Sequence, residues 1–191
     1  MSGASQLRTA VADTSALVSL AVPRADTSVD TDSGPDPLQY VLTSCEVSLP
    51  PTVQSELTAM ADYDDIHGAA ASNVLAADSY YAVLDPYDRS DTPAARPAFG
   101  LDDGKTDGIV LANSLGVDGL LTDEFGGTNF ALVHAALRGP RIASTPRLIR
   151  DYARGDHMSS TEARRLLDCI GSHRSWGASP YVALIRGQLE P

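Results

Sequence analysis

The sequence predicts an α/β fold in which a central parallel sheet of four or five strands is covered by helices on both faces. Three observations carry that expectation. Short apolar runs of strand type alternate with helix-length stretches four or five times along the chain, the pattern of βα units with parallel pairing. Two of those runs end in acids beside turn or cap formers, Asp13-Thr14-Ser15 and Thr122-Asp123-Glu124 before Gly126-Gly127. This places polar side chains at the edge where open α/β sheets bind ligands. No internal repeat is present, and 191 residues suit one domain spanning 1–191 with inserted loops.

The elements follow in order. Residues 7–12 read as a strand, and Asp13-Thr14-Ser15 opens a helix carrying Leu17, Val18, Leu20 and Ala21. The plainer reading of Asp13 is a helix N-cap. Residues 23–37 are polar, acidic and rich in turn formers, which predicts an exposed inserted loop. Residues 38–43 open a helix and 45–49 alternate as a strand, stopped by Pro50-Pro51. Thr52 is then a candidate cap and Glu56 falls on the second turn of the next helix, where a solvated surface role is the plainer one. Residues 62–81 hold one or two helices, and His67 has no His or Cys at ligand spacing. A strand is expected at 80–84, followed by a second inserted loop at about 85–103.

From Thr106 an apolar helix is expected with Asp107 in its first turn, where the helix dipole favours a carboxylate by about 0.3–1 kcal/mol. Residues 116–119 turn the chain and 120–122 form a strand. A local turn before the paired glycines is the plainer reading of Asp123. A helix at 129–137, a strand at 141–144 and a helix from 146 to 153 follow. The C-terminal helical segment, about 159–191, opens on the capping sequence Ser159-Ser160-Thr161-Glu162 and closes with an amphipathic helix at 181–189.

Composition narrows the function. Hydrophobic content is 43% with only 6% aromatic, so the core is expected to be Ala, Val, Leu and Ile. No apolar run approaches the roughly 18 residues that cross a bilayer. Residues 1–10 show neither an apolar nor a basic leader region. A cytoplasmic location without membrane contact is expected. Cys45 and Cys169 match no metal-ligand spacing and read as buried thiols. The net charge of -11 is unevenly spread: residues 1–137 carry -15 and residues 138–191 carry +4. Lys105 is the one lysine, and Asp outnumbers Glu 20 to 5. Such an Asp-rich, Lys-poor chain resembles proteins from salt-loving archaea, so its acidity speaks of habitat before it speaks of partner. Arg147, Arg150 and Arg154 share a helix face suited to phosphate contacts, the plainer reading being a solvated face or salt bridges to an acidic surface. Gly-x-Gly-x-x-Gly is absent, the run ending Gly104-Lys105-Thr106 lacks the upstream glycine of a P-loop, and Ser15 stands where a haloacid-dehalogenase-type phosphatase needs a second Asp.

Four segments in sequence order then form a pattern: Asp13-Thr-Ser; Glu56 after Pro50-Pro51-Thr52; Asp107 within Gly104-Lys-Thr-Asp-Gly-Ile-Val-Leu-Ala; and Asp123 after Leu120-Leu-Thr. Together with Ser144-Thr145-Pro-Arg-Leu-Ile and Ser179-Pro-Tyr-Val-Ala-Leu-Ile, they resemble the PIN-domain nucleases, the superfamily that includes the VapC toxins of type II toxin-antitoxin pairs. The resemblance spans nearly the whole chain. It implies a PIN-like three-layer α/β/α fold in which Asp13, Glu56, Asp107 and Asp123 are catalytic and bind Mg²⁺ or Mn²⁺. It also implies RNA as substrate, cleavage to a 5′-phosphate and a 3′-hydroxyl, a homodimer, and an antitoxin protein as partner. A catalytically inactive binding module on the same scaffold is the alternative. The family's block often carries Glu after its Gly, where this chain has Lys105. Chemically, hard divalent ions prefer carboxylate oxygens, and clustered carboxylates need a cation to offset their repulsion. Thr14, Ser15, Thr122 and Glu124 are expected to orient the ligands or waters around them.

Overall fold

The computed structural model of the protein describes residues 7–189; residues 1–6, within the stretch read for a leader, and 190–191, at the tip of the expected C-terminal segment, lie outside the described residues. Five strands, β1 (Thr9–Ala12), β2 (Glu46–Leu49), β3 (Tyr81–Val83), β4 (Gly119–Leu121) and β5 (Arg141–Ala143), form one sheet in the order β3-β2-β1-β4-β5. Every pairing is parallel. Val11 lies opposite Ser48 on one side and Leu120 on the other, so β1 is the centre of the sheet.

Such a strand must be apolar on both faces, and Ala10, Val11 and Ala12 are completely buried. Their alternation feeds two cores. Ala10, Ala12, Val47, Leu49 and Leu121 join a large cluster with the helices α1 (Thr14–Ala25), α2 (Pro37–Ser44), α3 (Pro51–Met60), α4 (Ile66–Leu75), α7 (Thr145–Arg154), α8 (Ser160–His173) and α9 (Pro180–Gly187). Val11 and Leu120 point the other way, onto α5 (Asp103–Leu115) and α6 (Gly127–Ala136), through Ile109, Leu111, Ala112 and Val133. Two helical layers thus enclose the sheet. Each fully buried Leu or Ile contributes roughly 1.5–3 kcal/mol. Among the described residues, no helix is long and apolar enough to cross a membrane.

The chain winds outward from β1 through β2 to β3, then returns along α5 to β4 on the opposite side of β1. The strand order reverses between β1 and β4, and in open α/β sheets the crevice at such a reversal is the ligand site. Gly116, left-handed at φ 61°, caps α5 and lets the chain turn into β4.

Several boundaries differ from the sequence reading, each for a local reason. Helix α1 continues through Pro23 to Ala25, because a proline in the last turn forfeits one backbone bond and the helix ends two residues later. Helix α3 starts at Pro51 with Pro50 in the cap position, so Thr52 lies inside the helix and its hydroxyl is free for another use. Helix α5 starts at Asp103, with the Asp102 carboxylate accepting from the Lys105 amide at 2.8 Å. The preceding loop therefore ends at 102, and Asp107 falls in the second turn, beyond the reach of the dipole argument. Helix α6 starts at Gly127, two residues earlier than read. Both cysteines are free thiols, half-buried.

Candidate functional site

Asp13 is the first residue past β1 and Thr122 the first past β4. The Asp13 amide donates to the Leu121 carbonyl at 2.9 Å and the Thr122 hydroxyl donates to Asp13 Oδ2 at 2.6 Å, closing the crevice at the strand-order reversal. The second Asp13 oxygen caps α1, accepting from the Ala16 amide at 3.1 Å and the Ser15 hydroxyl at 2.6 Å. Asp13 is therefore both the N-cap and a buried acid, 3% exposed. Ser15 Oγ also accepts from the Asp123 amide at 3.0 Å, tying the loop after β4 to α1.

Glu56 reaches this point from α3. Its Oε2 accepts from the Thr14 hydroxyl, and its other oxygen lies over Gly104 in the first turn of α5, where an added Cβ would stand 2.5 Å from Oε1. The missing side chain at 104 is what lets α3 and α5 close around the carboxylate.

Asp107, 2% exposed, occupies the next turn of α5. Its Oδ2 accepts from the Thr52 hydroxyl at 3.0 Å and its Oδ1 from the Tyr87 hydroxyl at 2.6 Å. Arg96 forks across both oxygens, Nε to Oδ1 and Nη2 to Oδ2, each at 2.8 Å. Burial alone would raise this carboxyl's pKa, but the bonds from Arg96, Tyr87 and Thr52 outweigh it and hold the group below the usual carboxylate value. Lys105 donates to Asp102 Oδ2 at 2.8 Å and lies 3.4 Å from Glu124 Oε1. Burial opposes its charge, yet Asp13, Asp102 and Glu124 together raise its pKa.

Asp123 turns inward. Its Oδ1 accepts from the Thr145 amide at 2.8 Å, while Oδ2 is sealed from solvent with no hydrogen-bond partner among the described residues. Burial pushes its carboxyl up to about 6 against the opposing pull of the nearby Ser19 and Thr145 groups, and the charge on Asp13 adds to the rise. Thr145 Oγ1 is likewise buried and unpaired.

The four expected acids thus reach one edge of the sheet in unequal states. The Ser15 and Thr122 hydroxyls bond the Asp13 carboxylate, Ser15 also takes the Asp123 amide and the Thr14 hydroxyl bonds Glu56, whereas Asp107 is engaged by Arg96. Among the described residues, no three Asp, Glu, His or Cys side chains come close enough to share an ion as they stand. The donor chemistry nevertheless suits a hard divalent cation: every candidate ligand is a carboxylate oxygen, one of them, Asp123 Oδ2, is buried and unpaired, and Gly104 lets the Glu56 carboxylate reach this edge.

A shallow groove runs from Asp123 and Glu124 over Phe125 and Tyr181, whose rings stack at 5.0 Å, toward Phe130, His134 and Arg147. Of the three arginines read as an RNA face, Arg147 borders this groove with its Nε 3.7 Å from Asp151 Oδ2, and Arg154 is exposed. Arg150 is taken up by Asp151 and by Gln188 at 2.8 Å. A more enclosed cavity of about 130 Å³, lined by Cys45, Tyr152 and His157 among others, is bordered by none of the four acids.

The sequence reading missed Arg96, Tyr87 and the cradle at Gly104, and assigned Thr52 a cap rather than a bond to Asp107. One signal was available: Arg89 and Arg96 are the only basic residues in an otherwise acidic stretch from 84 to 104. Compared with family models, curated proteins and solved structures, the chain matches none.

Proposed function

We propose that the protein is a divalent-metal-dependent ribonuclease of PIN type, hydrolysing RNA phosphodiester bonds at the β1–β4 crevice. The observation that supports it best is that Asp13, Glu56 and Asp123 come to the β1–β4 edge from three separate elements, with the Ser15 and Thr122 hydroxyls on the Asp13 carboxylate, Ser15 also taking the Asp123 amide, and the Thr14 hydroxyl on Glu56. Structural needs account for the cap at Asp13. They do not account for a second carboxylate brought over Gly104 and a third buried with one oxygen unpaired.

Asp13, Glu56 and Asp123, joined by Asp107, would hold Mg²⁺ or Mn²⁺, which would supply the charge that activates water and stabilises the leaving oxygen. Thr122 and Ser15 fix the rotamer of Asp13 from opposite oxygens, and Thr14 does the same for Glu56. Phe125 and Tyr181 offer an aromatic platform beside the acids, on which a single-stranded base can stack, and Arg147 lies where the next phosphate would pass. A role as the toxin of a toxin-antitoxin pair, with a homodimer and an antitoxin partner, belongs to the same reading.

A second reading, a non-catalytic nucleic-acid- or protein-binding module, is favoured by one feature: Arg96 and Lys105 already neutralise acids at this edge. RNA cleavage titrated with Mn²⁺ in high salt, for wild type and Asp13→Asn, separates the two. The nuclease reading requires activity that EDTA abolishes and the substitution removes. Cleavage that survives either treatment, or no cleavage by wild type at any Mn²⁺ concentration, defeats it.

A further inference from the structure

We propose that Arg96 is a built-in occupant of the cation site: the connection 84–102 holds its guanidinium on Asp107, and a divalent ion reaches Asp107 only when that guanidinium withdraws. The inference rests on reading the acids as a metal site.

A carboxylate has about four lone-pair directions. On Asp107 all four are used, Oδ1 by Tyr87 and Arg96 Nε, Oδ2 by Thr52 and Arg96 Nη2. No direction remains for a metal. The guanidinium is also the counter-charge that keeps a carboxylate buried to 2% exposure ionised, which is the service a divalent ion would perform. A third bond, Nη1 to Asp103 Oδ2 at 2.6 Å, points the fork at the helix. Lys105 does not duplicate it, because its own bonds go to Asp102 and Glu124 rather than to any of the four acids.

The segment that carries Arg96 is anchored at its two ends, where Leu84 on one side and Phe99 and Leu101 on the other pack on the core around Val11 and Leu120. It runs from the end of β3 to the start of α5 without a helix or strand, longer than the roughly 12–15 residues usual for structureless loops, and loops of that length are commonly functional. Between those anchors, side-chain hydrogen bonds join it to α5 at two places. Arg89 Nε donates to Ser114 Oγ at 2.6 Å, and Ser114 donates in turn to Asp91; Arg96 and Tyr87 form the second tie at Asp107, two helical turns earlier. Breaking the second leaves the first in place, so the arginine can leave Asp107 while the loop stays attached. Its side chain is 38% exposed on the resting protein, open to a competing polyanion such as a nucleic-acid phosphate.

Calorimetric titration with Mn²⁺ alone, in high salt, tests this on wild type, Arg96→Gln and the double variant Arg96→Gln/Asp107→Asn. If the competent, unlatched form is ~1–10% populated, the single variant should bind Mn²⁺ about 10- to 100-fold more tightly. The gain should vanish in the double variant. Thermal melts guard against a poorly folded variant: Mn²⁺ should raise the midpoint of Arg96→Gln more than that of wild type, and Tyr87→Phe should show a smaller shift of the same sign. Equal Mn²⁺ affinity in wild type and Arg96→Gln, with binding lost on Asp13→Asn, would overturn the latch and leave the metal site standing. Absence of Mn²⁺ binding in every variant would overturn both.

Discussion

Thr122 donates its hydroxyl to Asp13 Oδ2 at 2.6 Å, joining the first residue past β4 to the first past β1, although 109 positions separate them in sequence. Thr122→Val keeps the shape and removes the donor, leaving a buried carboxylate oxygen short of a partner. The expected cost is about 2 kcal/mol of stability, read from urea denaturation midpoints. A loss below about 0.5 kcal/mol would mean that Asp13 is satisfied without Thr122.

Gly104→Ala separates the site from the fold. Alanine is favoured over glycine inside a helix by about 1 kcal/mol, but its Cβ would stand 2.5 Å from Glu56 Oε1. The flexible glutamate must swing away while the backbone stays. Thermal stability should be unchanged or higher, and Mn²⁺-dependent RNA cleavage should fall at least about tenfold, the cost of misplacing one ligand. Full activity in this variant would show that Glu56 does not act from where it lies.

Asp123 gives the pH dependence its sign. Burial holds its carboxyl at about 6, above the ordinary 3.8, so the folded state grips the proton more tightly than the unfolded chain. Its contribution to stability is complete below pH 4 and lost as pH rises through 6. Asp107, with a lowered pKa, acts in the opposite direction, so the Asp123 contribution is read as the difference between wild type and Asp123→Asn. In EDTA, raising pH from 5 to 7.5 should cost wild type about 1–2 kcal/mol relative to the variant in chemical denaturation. A pH-independent difference would place the carboxylate in contact with solvent.

Arg147 and Arg150, three residues apart on α7, should behave differently. Arg147→Glu should weaken binding of a single-stranded RNA oligonucleotide by about 3- to 10-fold at moderate salt, measured by fluorescence anisotropy with Asp13→Asn as background, and should lower the melting temperature only slightly, because its pair with Asp151 is long and exposed. Arg150→Glu breaks the bond to Gln188 and sets like charges beside Asp151, so it should lower the melting temperature. Equal RNA affinity in wild type and Arg147→Glu would remove the groove from the substrate path.

Strands β1 and β4 were legible because central parallel strands must be apolar on both faces, which writes short unbroken runs such as 120–121 into the chain, while β2 showed as alternation. The positions of Asp13 and Asp123 past strand ends were legible for the same reason. What the pattern did not carry was long-range pairing. The stretch holding Tyr87 and Arg96 is turn-forming throughout, and nothing local says that its arginine ends on Asp107. Thr52 satisfied the rules for a cap, but the preceding prolines move the cap two residues back to Pro50 and release the Thr52 hydroxyl toward α5. The inward turn of Asp123 depends on the Thr145 amide, 22 positions on, which local propensity does not see.

The central place of β1 has a consequence for synthesis. One edge of β1 meets β2 within the first 49 residues, but the other waits for β4, more than 100 positions later. A chain growing on the ribosome therefore carries Asp13 and Glu56 long before Thr122 and Asp123 emerge, with an unpaired backbone edge open to unwanted partners. Any RNA-cutting power would be withheld until translation has passed residue 123, so an incomplete chain would be harmless to the messenger that encodes it.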